Sequence, residues 1–237
     1  MIVAVHQPNY IPWIGFFDKM DQVDQFVILD MVQHSKMSVT HRNSIKSPSG
    51  SLLLSVPLKN KGMPIHELQI RNDEDWLAKH WKSITYNYSR SKHWEMYAPF
   101  FQQIYESTWT SLSDLNMSLI LLIRDILHIE TAIVYESELK AESGLGSTRI
   151  VNICSHLGAM IYLSGNGARS YNNELEFRER SIKLVYQQFN HPVYAQQWGA
   201  FISHLSIIDM IFNHGPQSIE IIRAARKLDI RSEALYG

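Results

Sequence analysis

The chain has 237 residues, of which 45% are hydrophobic and 19% charged, and its net charge is −1. This composition belongs to a globular protein with ample core, and it lacks the basic stripe or acidic tail of a nucleic-acid-binding surface. The single cysteine, Cys154, excludes an intrachain disulfide and a Cys-rich zinc site.

The apolar start at Ile2 is too short for a signal-peptide core and has no basic residue before it. The longest apolar run, Leu119 to Ile123, is cut off by Arg124 and Asp125, far below a membrane span. The expectation is a cytoplasmic protein without a membrane span.

In chain order, Ile2 to Val5 reads as a buried strand. It runs into His6-Gln7-Pro8-Asn9-Tyr10-Ile11-Pro12-Trp13, and an amphipathic helix follows to Met20. Pro8 and Pro12 fix their own φ and restrict the residue before each, so the loop is stiff. Val23 to Asp30 reads as a second strand, completing a parallel crossover that sets Asp30 beside the first loop. Met31 to Asn43 is a polar loop with His34, Lys36, Arg42 and Asn43. A hairpin is expected over 45–58, turning at Ser47-Pro48-Ser49-Gly50. Another short strand is expected over 65–70.

Helices are expected from 73 to 88, 92 to 107 and 113 to 128. In the last, Leu115, Leu119, Leu122, Ile123 and Ile126 recur at core-facing spacing. The α/β alternation then resumes: strand 131–136, helix 149–156, strand 159–164, helix 173–179, strand 182–187. Helices 201–212 and 218–228 close the chain. The fold class is α/β: a Rossmann-like, mostly parallel sheet flanked by helices, a single domain over 1–237 with a helical insertion at 72–130. The two halves of the sheet meet in space.

Loops at the carboxyl ends of strands are where ligands bind in such sheets. His6 could serve as a general base or phosphate contact, or simply fix the loop through backbone bonds. Gln7, Asn9 and Tyr10 could meet a sugar or phosphate, and Tyr10 an oxyanion; Trp13 could stack on a sugar or cover the core. Asp30 could orient a histidine or bind a hydroxyl, or cap the next turn. Arg42 is the favoured anion partner, by a forked contact, with His34, Lys36 and Asn43 around it.

The turn Ser164-Gly165-Asn166-Gly167-Ala168-Arg169 follows a strand and resembles a phosphate-cradling loop, with Tyr171 on its rim. It is neither the dinucleotide fingerprint nor a nucleotide P-loop. His80 reads as a packed helical histidine, and Asp209 as a tie between the last helices and the sheet. There is no nucleophile elbow, and Cys154 lies mid-helix, so a covalent serine or cysteine mechanism is not indicated. No metal-ligand spacing is present, and neither a metal nor a cofactor is expected.

The sequence resembles the WbqC-like family in four stretches. The first is the opening motif, His6 to Trp13 with Gly15-Phe16-Phe17-Asp18-Lys19. The second is Arg42-Asn43 leading to Leu54-Ser55-Val56-Pro57. The third is Tyr162-Leu163-Ser164-Gly165 with Gly167-Ala168 and Tyr171. The fourth is His191-Pro192-Val193-Tyr194 with Leu205 to Asp209 and Asn213-His214-Gly215.

This resemblance implies a place in bacterial surface-polysaccharide (O-antigen, lipopolysaccharide) biosynthesis. It also implies transfer of a small acyl or aminoacyl group, such as glycyl, to an amino sugar; it carries over no set of catalytic residues. The reading is a transferase whose acceptor is a nucleotide sugar and whose donor is a thioester or other activated carrier, an acyl carrier among them. His6 would remove a proton from the sugar amine. The rivals are a nucleotidyl- or glycosyl-transferring enzyme of the same fold and a non-enzymatic partner protein of the same pathway.

Overall fold

The computed structural model describes residues 1–35, 38–142 and 144–231. Lys36, grouped above with Arg42, lies outside the described residues. Five strands form one sheet: β1 (Ile2–His6), β2 (Gln25–Ile28), β5 (Ala132–Tyr135), β6 (Ile161–Ser164) and β7 (Lys183–Tyr186), in the order β5-β2-β1-β6-β7. Every pairing within it is parallel. The remaining strands, β3 (Arg42–Ser47) and β4 (Gly50–Ser55), make a separate antiparallel hairpin.

The strand order fixes where the sheet divides. From β1 the chain moves outward through β2 to β5, then returns to the other side of β1 for β6 and β7. The switch point lies between β1 and β6. The β1–β2 register continues to His6↔Ile28, whereas the β1–β6 register ends at Val3↔Tyr162. Beyond Val3 the two central strands part, and a crevice opens at their carboxyl ends.

Side-chain alternation along the strands builds two cores. Val3, Val5, Val27 and Tyr162 pack with α5 (Gly146–His156) and α6 (Glu174–Glu179). Ala4, Phe26, Ile28 and Leu163 face the opposite way, toward α1 (Ile14–Asp21). That second core also takes in α2 (Trp76–Tyr88), α3 (Trp94–Glu106) and α4 (Leu112–Ile126), and α7 (Ile208–His214) with α8 (Ser218–Ala224). The helices expected within 72–130 thus pack on one face of the sheet. Among the described residues, no helix is long and apolar enough to cross a membrane.

Three segments differ from expectation. Residues 65–70 form a one-turn 3-10 helix (Ile65–Glu67) followed by isolated bridges at Gln69 and Ile70, rather than a strand. Arg42 and Asn43 belong to β3 rather than to the loop after β2, because the hairpin pairing extends to Arg42↔Ser55. The helix expected from 201 starts only at Ile208. The backbone of the preceding segment is spent elsewhere: Ser206 donates to the Ser44 carbonyl and Ile207 to the Pro12 carbonyl. His204 lies at φ 60°, which breaks helical continuity.

Candidate functional site

A cavity of about 780 Å³ occupies the crevice at the carboxyl ends of the strands. One wall is the loop after β1, with His6, Gln7 and Asn9; facing it is the loop after β6, with Ser164, Gly165 and Gly167. Gly146 and Arg149 in the first turn of α5 close one side, and Met31 to Gln33 close another. Tyr171 stands at the rim, 64% exposed.

The β1 loop is held from behind by side chains distant in sequence. Asn116 of α4 donates to the carbonyls of Pro8 and Thr40 at 2.8 and 2.7 Å. Asn43 of β3 donates to the Ile11 carbonyl at 2.7 Å and accepts from the Ser44 amide at 2.8 Å. Ile11 has φ 35°, a strained setting for a β-branched residue, and it is fully buried. Tyr10 points into the helical layer, bonded to His80 Nδ1 at 2.8 Å and the Tyr105 hydroxyl at 2.7 Å. These contacts hold the loop as a preformed wall.

His6 ends β1. Its Nδ1 lies 3.0 Å from the Gln7 carbonyl. A carbonyl only accepts, so Nδ1 carries the proton and the lone pair of a neutral ring is on Nε2. The ring packs against Phe16 (4.8 Å, edge-on) and Phe26 (6.3 Å, stacked). Burial, and then the nearby Lys19 charge, push its pKa down to about 3. His6 is therefore neutral at working pH, an acceptor at Nε2 and a weak proton base. Gln7 accepts a hydrogen bond from the Thr40 hydroxyl at 3.2 Å. Asn9 is 3% exposed, and its Oδ1 has no partner among the described residues. A buried acceptor left unmet inside a cavity marks a place for a ligand donor or a water.

The β6 loop has a different character. Ser164 donates to the Gly165 carbonyl at 3.3 Å and accepts from Asn172 at 3.0 Å. A Cβ at Gly165 or Gly167 would meet nothing within 4 Å, and neither residue sits at positive φ. Neither packing nor backbone conformation requires glycine there. What it provides is backbone open to close approach. The α5 N-terminus beside it has no side-chain cap and no acidic residue in its first turn, so its amides are available to an anion. Arg149 adds a cation, tied to Glu136 at 2.9 Å and to the Gly144 carbonyl at 3.0 Å.

His6, Gln7, Asn9, Ser164, Gly165, Gly167 and Tyr171 thus meet at one cavity. Ala168 of the same turn also lines it, whereas the other candidate site residues lie outside its lining. Trp13 stacks beside His204 (5.4 Å) and His191 (6.3 Å), and its indole fills the space over Gly15. Asp30 accepts from the amide and hydroxyl of Ser137 at 3.0 and 2.6 Å, anchoring the turn after β5. His34 pairs with His41 at 3.0 Å. Arg42 and Asn43 lie in the β3–β4 hairpin and do not line the cavity. Asn166 is exposed, and the Arg169 guanidinium lies 4.0 Å over the Tyr186 ring, beside α6 and β7. His80 and Asp209 are buried, the latter accepting from Tyr88 at 2.9 Å and Gln196 at 2.8 Å. Among the described residues, no group of three or more His, Cys, Asp or Glu could hold a metal ion.

Sequence reasoning missed Lys19, Arg149 and the start of α5. Lys19 is 3% exposed, lines the cavity and donates to the Val5 carbonyl at 3.1 Å. Burial lowers its pKa to about 7. The available signal was a lysine inside the short helix that links two buried strands.

A profile of the WbqC-like protein family matches residues 7–221. The chain is also 36% identical over 230 residues to the uncharacterized protein Rv1507c of Mycobacterium tuberculosis (strain ATCC 25618 / H37Rv), across 95% of this chain and 99% of that one. The matched span contains the β1 loop from Gln7 on, the β6 loop and the start of α5. This chain belongs to the WbqC-like protein family.

Proposed function

We propose that this protein is a cytoplasmic transferase that moves a small acyl or aminoacyl group onto the amine of a nucleotide-linked sugar. The surface-polysaccharide setting rests on the family resemblance. The reaction rests on one observation: the two walls of the crevice are chemically opposite. The β1 wall presents two acceptors, His6 Nε2 and Asn9 Oδ1, that have no hydrogen-bond partner among the described residues. An amine or hydroxyl matches them. The β6 wall presents two open glycines next to an uncapped helix N-terminus and Arg149. A diphosphate matches those. A nucleotide-linked amino sugar carries both groups on one molecule.

In the reaction, the sugar nitrogen attacks the donor carbonyl carbon, a C–N bond forms, and the bond from that carbon to the carrier heteroatom breaks. The nitrogen loses a proton, and the carrier leaves with one. His6 Nε2 holds an N–H of the attacking amine in line. Asn9 orients the same end of the sugar. The parting of β1 and β6 leaves room for the diphosphate against the β6 loop.

The test incubates the protein with acetyl- or glycyl-thioesters and UDP-linked amino sugars, and reads the sugar product by mass. Gain of the acyl mass on the sugar nitrogen is expected. His6→Ala should cut turnover at least a hundredfold while binding of the UDP-sugar changes little. Release of pyrophosphate or of the nucleoside diphosphate without acylation would instead establish nucleotidyl or glycosyl transfer.

A further inference from the structure

Lys19 sits where the two central strands part. Peptide groups along a parallel strand alternate between its two neighbours. The His6 carbonyl bonds toward β2, through the Leu29 amide, so the Val5 carbonyl faces β6. The β1–β6 register has already ended at Val3, and Lys19 Nζ takes the place of the missing ladder partner at 3.1 Å. Its stem runs past the Phe26 ring, 5.9 Å from Nζ.

The described charges around it are otherwise committed. On its own helix, Asp18 is engaged by Gln187 at 2.5 Å and by Arg226 at 2.6 Å, and Asp21 by Arg223 at 2.8 Å and by Arg226. From β1 the facing group is the neutral His6; from β6, Tyr162 and Ser164 share the cavity; from α5, Arg149 is held by Glu136. No described carboxylate pairs with Lys19. A buried ammonium with one hydrogen bond and no counter-ion is costly, and the neutral amine is the form that suits the site.

We propose that Lys19 Nζ is the proton acceptor of the crevice, taking the proton that the sugar amine gives up as its bond to the acyl carbon forms. This assignment rests on the transferase reading. The proton moves from the sugar nitrogen to Nζ and then to the departing carrier heteroatom, so Lys19 ends each cycle as it began. The division of labour follows from basicity. With a pKa near 7 the Lys19 amine can hold the proton at neutral pH; His6, near 3, cannot, and acts as an orienting acceptor.

The experiment is trace acetylation of the folded wild-type protein with acetic anhydride from pH 5 to 10, read lysine by lysine by mass spectrometry. The Lys19 midpoint is expected near 7, against 10.5 for an ordinary lysine. Added UDP should slow labelling of Lys19 at least fivefold. A midpoint above 9, or no labelling of Lys19 in the folded protein, overturns the assignment whether or not acyl transfer is observed. A midpoint near 7 without acyl transfer to any UDP-linked amino sugar overturns the transfer reading instead, and the role of Lys19 with it. Where transfer is observed, the pH–rate profile gives a second readout. Its limb near pH 7 should vanish in Lys19→Met while UDP-sugar affinity stays within threefold; retention of the limb overturns the assignment.

Discussion

The Asn116 side-chain amide donates to the Pro8 carbonyl at 2.8 Å, across 108 residues of chain. The same nitrogen serves the Thr40 carbonyl at 2.7 Å. One buried side chain in the helical layer therefore fixes the loop that forms a wall of the cavity, together with the segment behind it. Removing it leaves two carbonyls unmet in the core. Asn116→Ala is expected to lower stability by about 2–4 kcal/mol and to weaken UDP-sugar binding, because Gln7 and Asn9 lose their fixed placement. Chemical denaturation and calorimetric titration together check this. Stability lost with affinity unchanged would detach the helical layer from the site.

The glycines separate packing from ligand approach. A Cβ at Gly165 or Gly167 touches nothing, whereas one at Gly15 collides with the Trp13 indole. Gly165→Ala and Gly167→Ala should stay within about 0.5 kcal/mol of wild-type stability yet lose about tenfold or more in affinity for UDP. Gly15→Ala should cost about 1–3 kcal/mol through overpacking. Thermal melts with and without UDP measure both effects in one series. Equal UDP affinity in all three variants would move the anion away from the β6 loop.

Acid should weaken the fold through histidines held neutral. Burial lowers His6 to about 3 and His80 to about 4, both below the ordinary 6.5. Between pH 6.5 and 4 the unfolded chain protonates these rings and the folded chain does not. Unfolding then takes up protons, and stability present above pH 6.5 is lost as pH falls. Each ring contributes a slope of about 1.4 kcal/mol per pH unit at most. Urea unfolding at pH 7, 6, 5 and 4.5 measures the total, and His80→Gln should reduce the slope by about one proton. An unchanged slope in that variant would remove His80 from the account.

Lys19 makes the same demand in the alkaline range. Its folded pKa, about 7, lies below the ordinary 10.5, so from pH 7 to 10.5 the unfolded chain holds the extra proton. Wild-type stability from this group rises with pH over that window. Lys19→Met removes the cost of burial but leaves the Val5 carbonyl unmet. The variant is expected to gain about 1–3 kcal/mol at pH 6, with the gain shrinking steadily toward pH 10. Melting curves of both proteins across that range decide it; a gain independent of pH would mean that Lys19 is not buried as a weak base.

The alternation of apolar runs and helical periodicities was enough to read a parallel α/β sheet with helices between β2 and β5. Pro8 and Pro12 marked the β1 loop as rigid, and the glycines after β6 marked the second wall. These are local properties: propensity, period and turn chemistry act over a few residues and are written in order along the chain. The placement of side chains around the crevice is not local. Arg42 and Asn43 read as loop residues until β-pairing carried the hairpin back to Arg42↔Ser55. Tyr10 directly follows the cavity-lining Asn9, yet its hydroxyl finds His80 and Tyr105 in helices far along the chain. Lys19 reads as an ordinary helix charge until the β1–β6 register stops at Val3 and leaves the Val5 carbonyl for it to meet. The sequence by itself determined the sheet class and the two loops that flank its switch point. Tertiary structure alone decided which side chains meet there, because burial, unmet hydrogen-bonding groups and displaced charge partners depend on contacts between segments that no local pattern encodes.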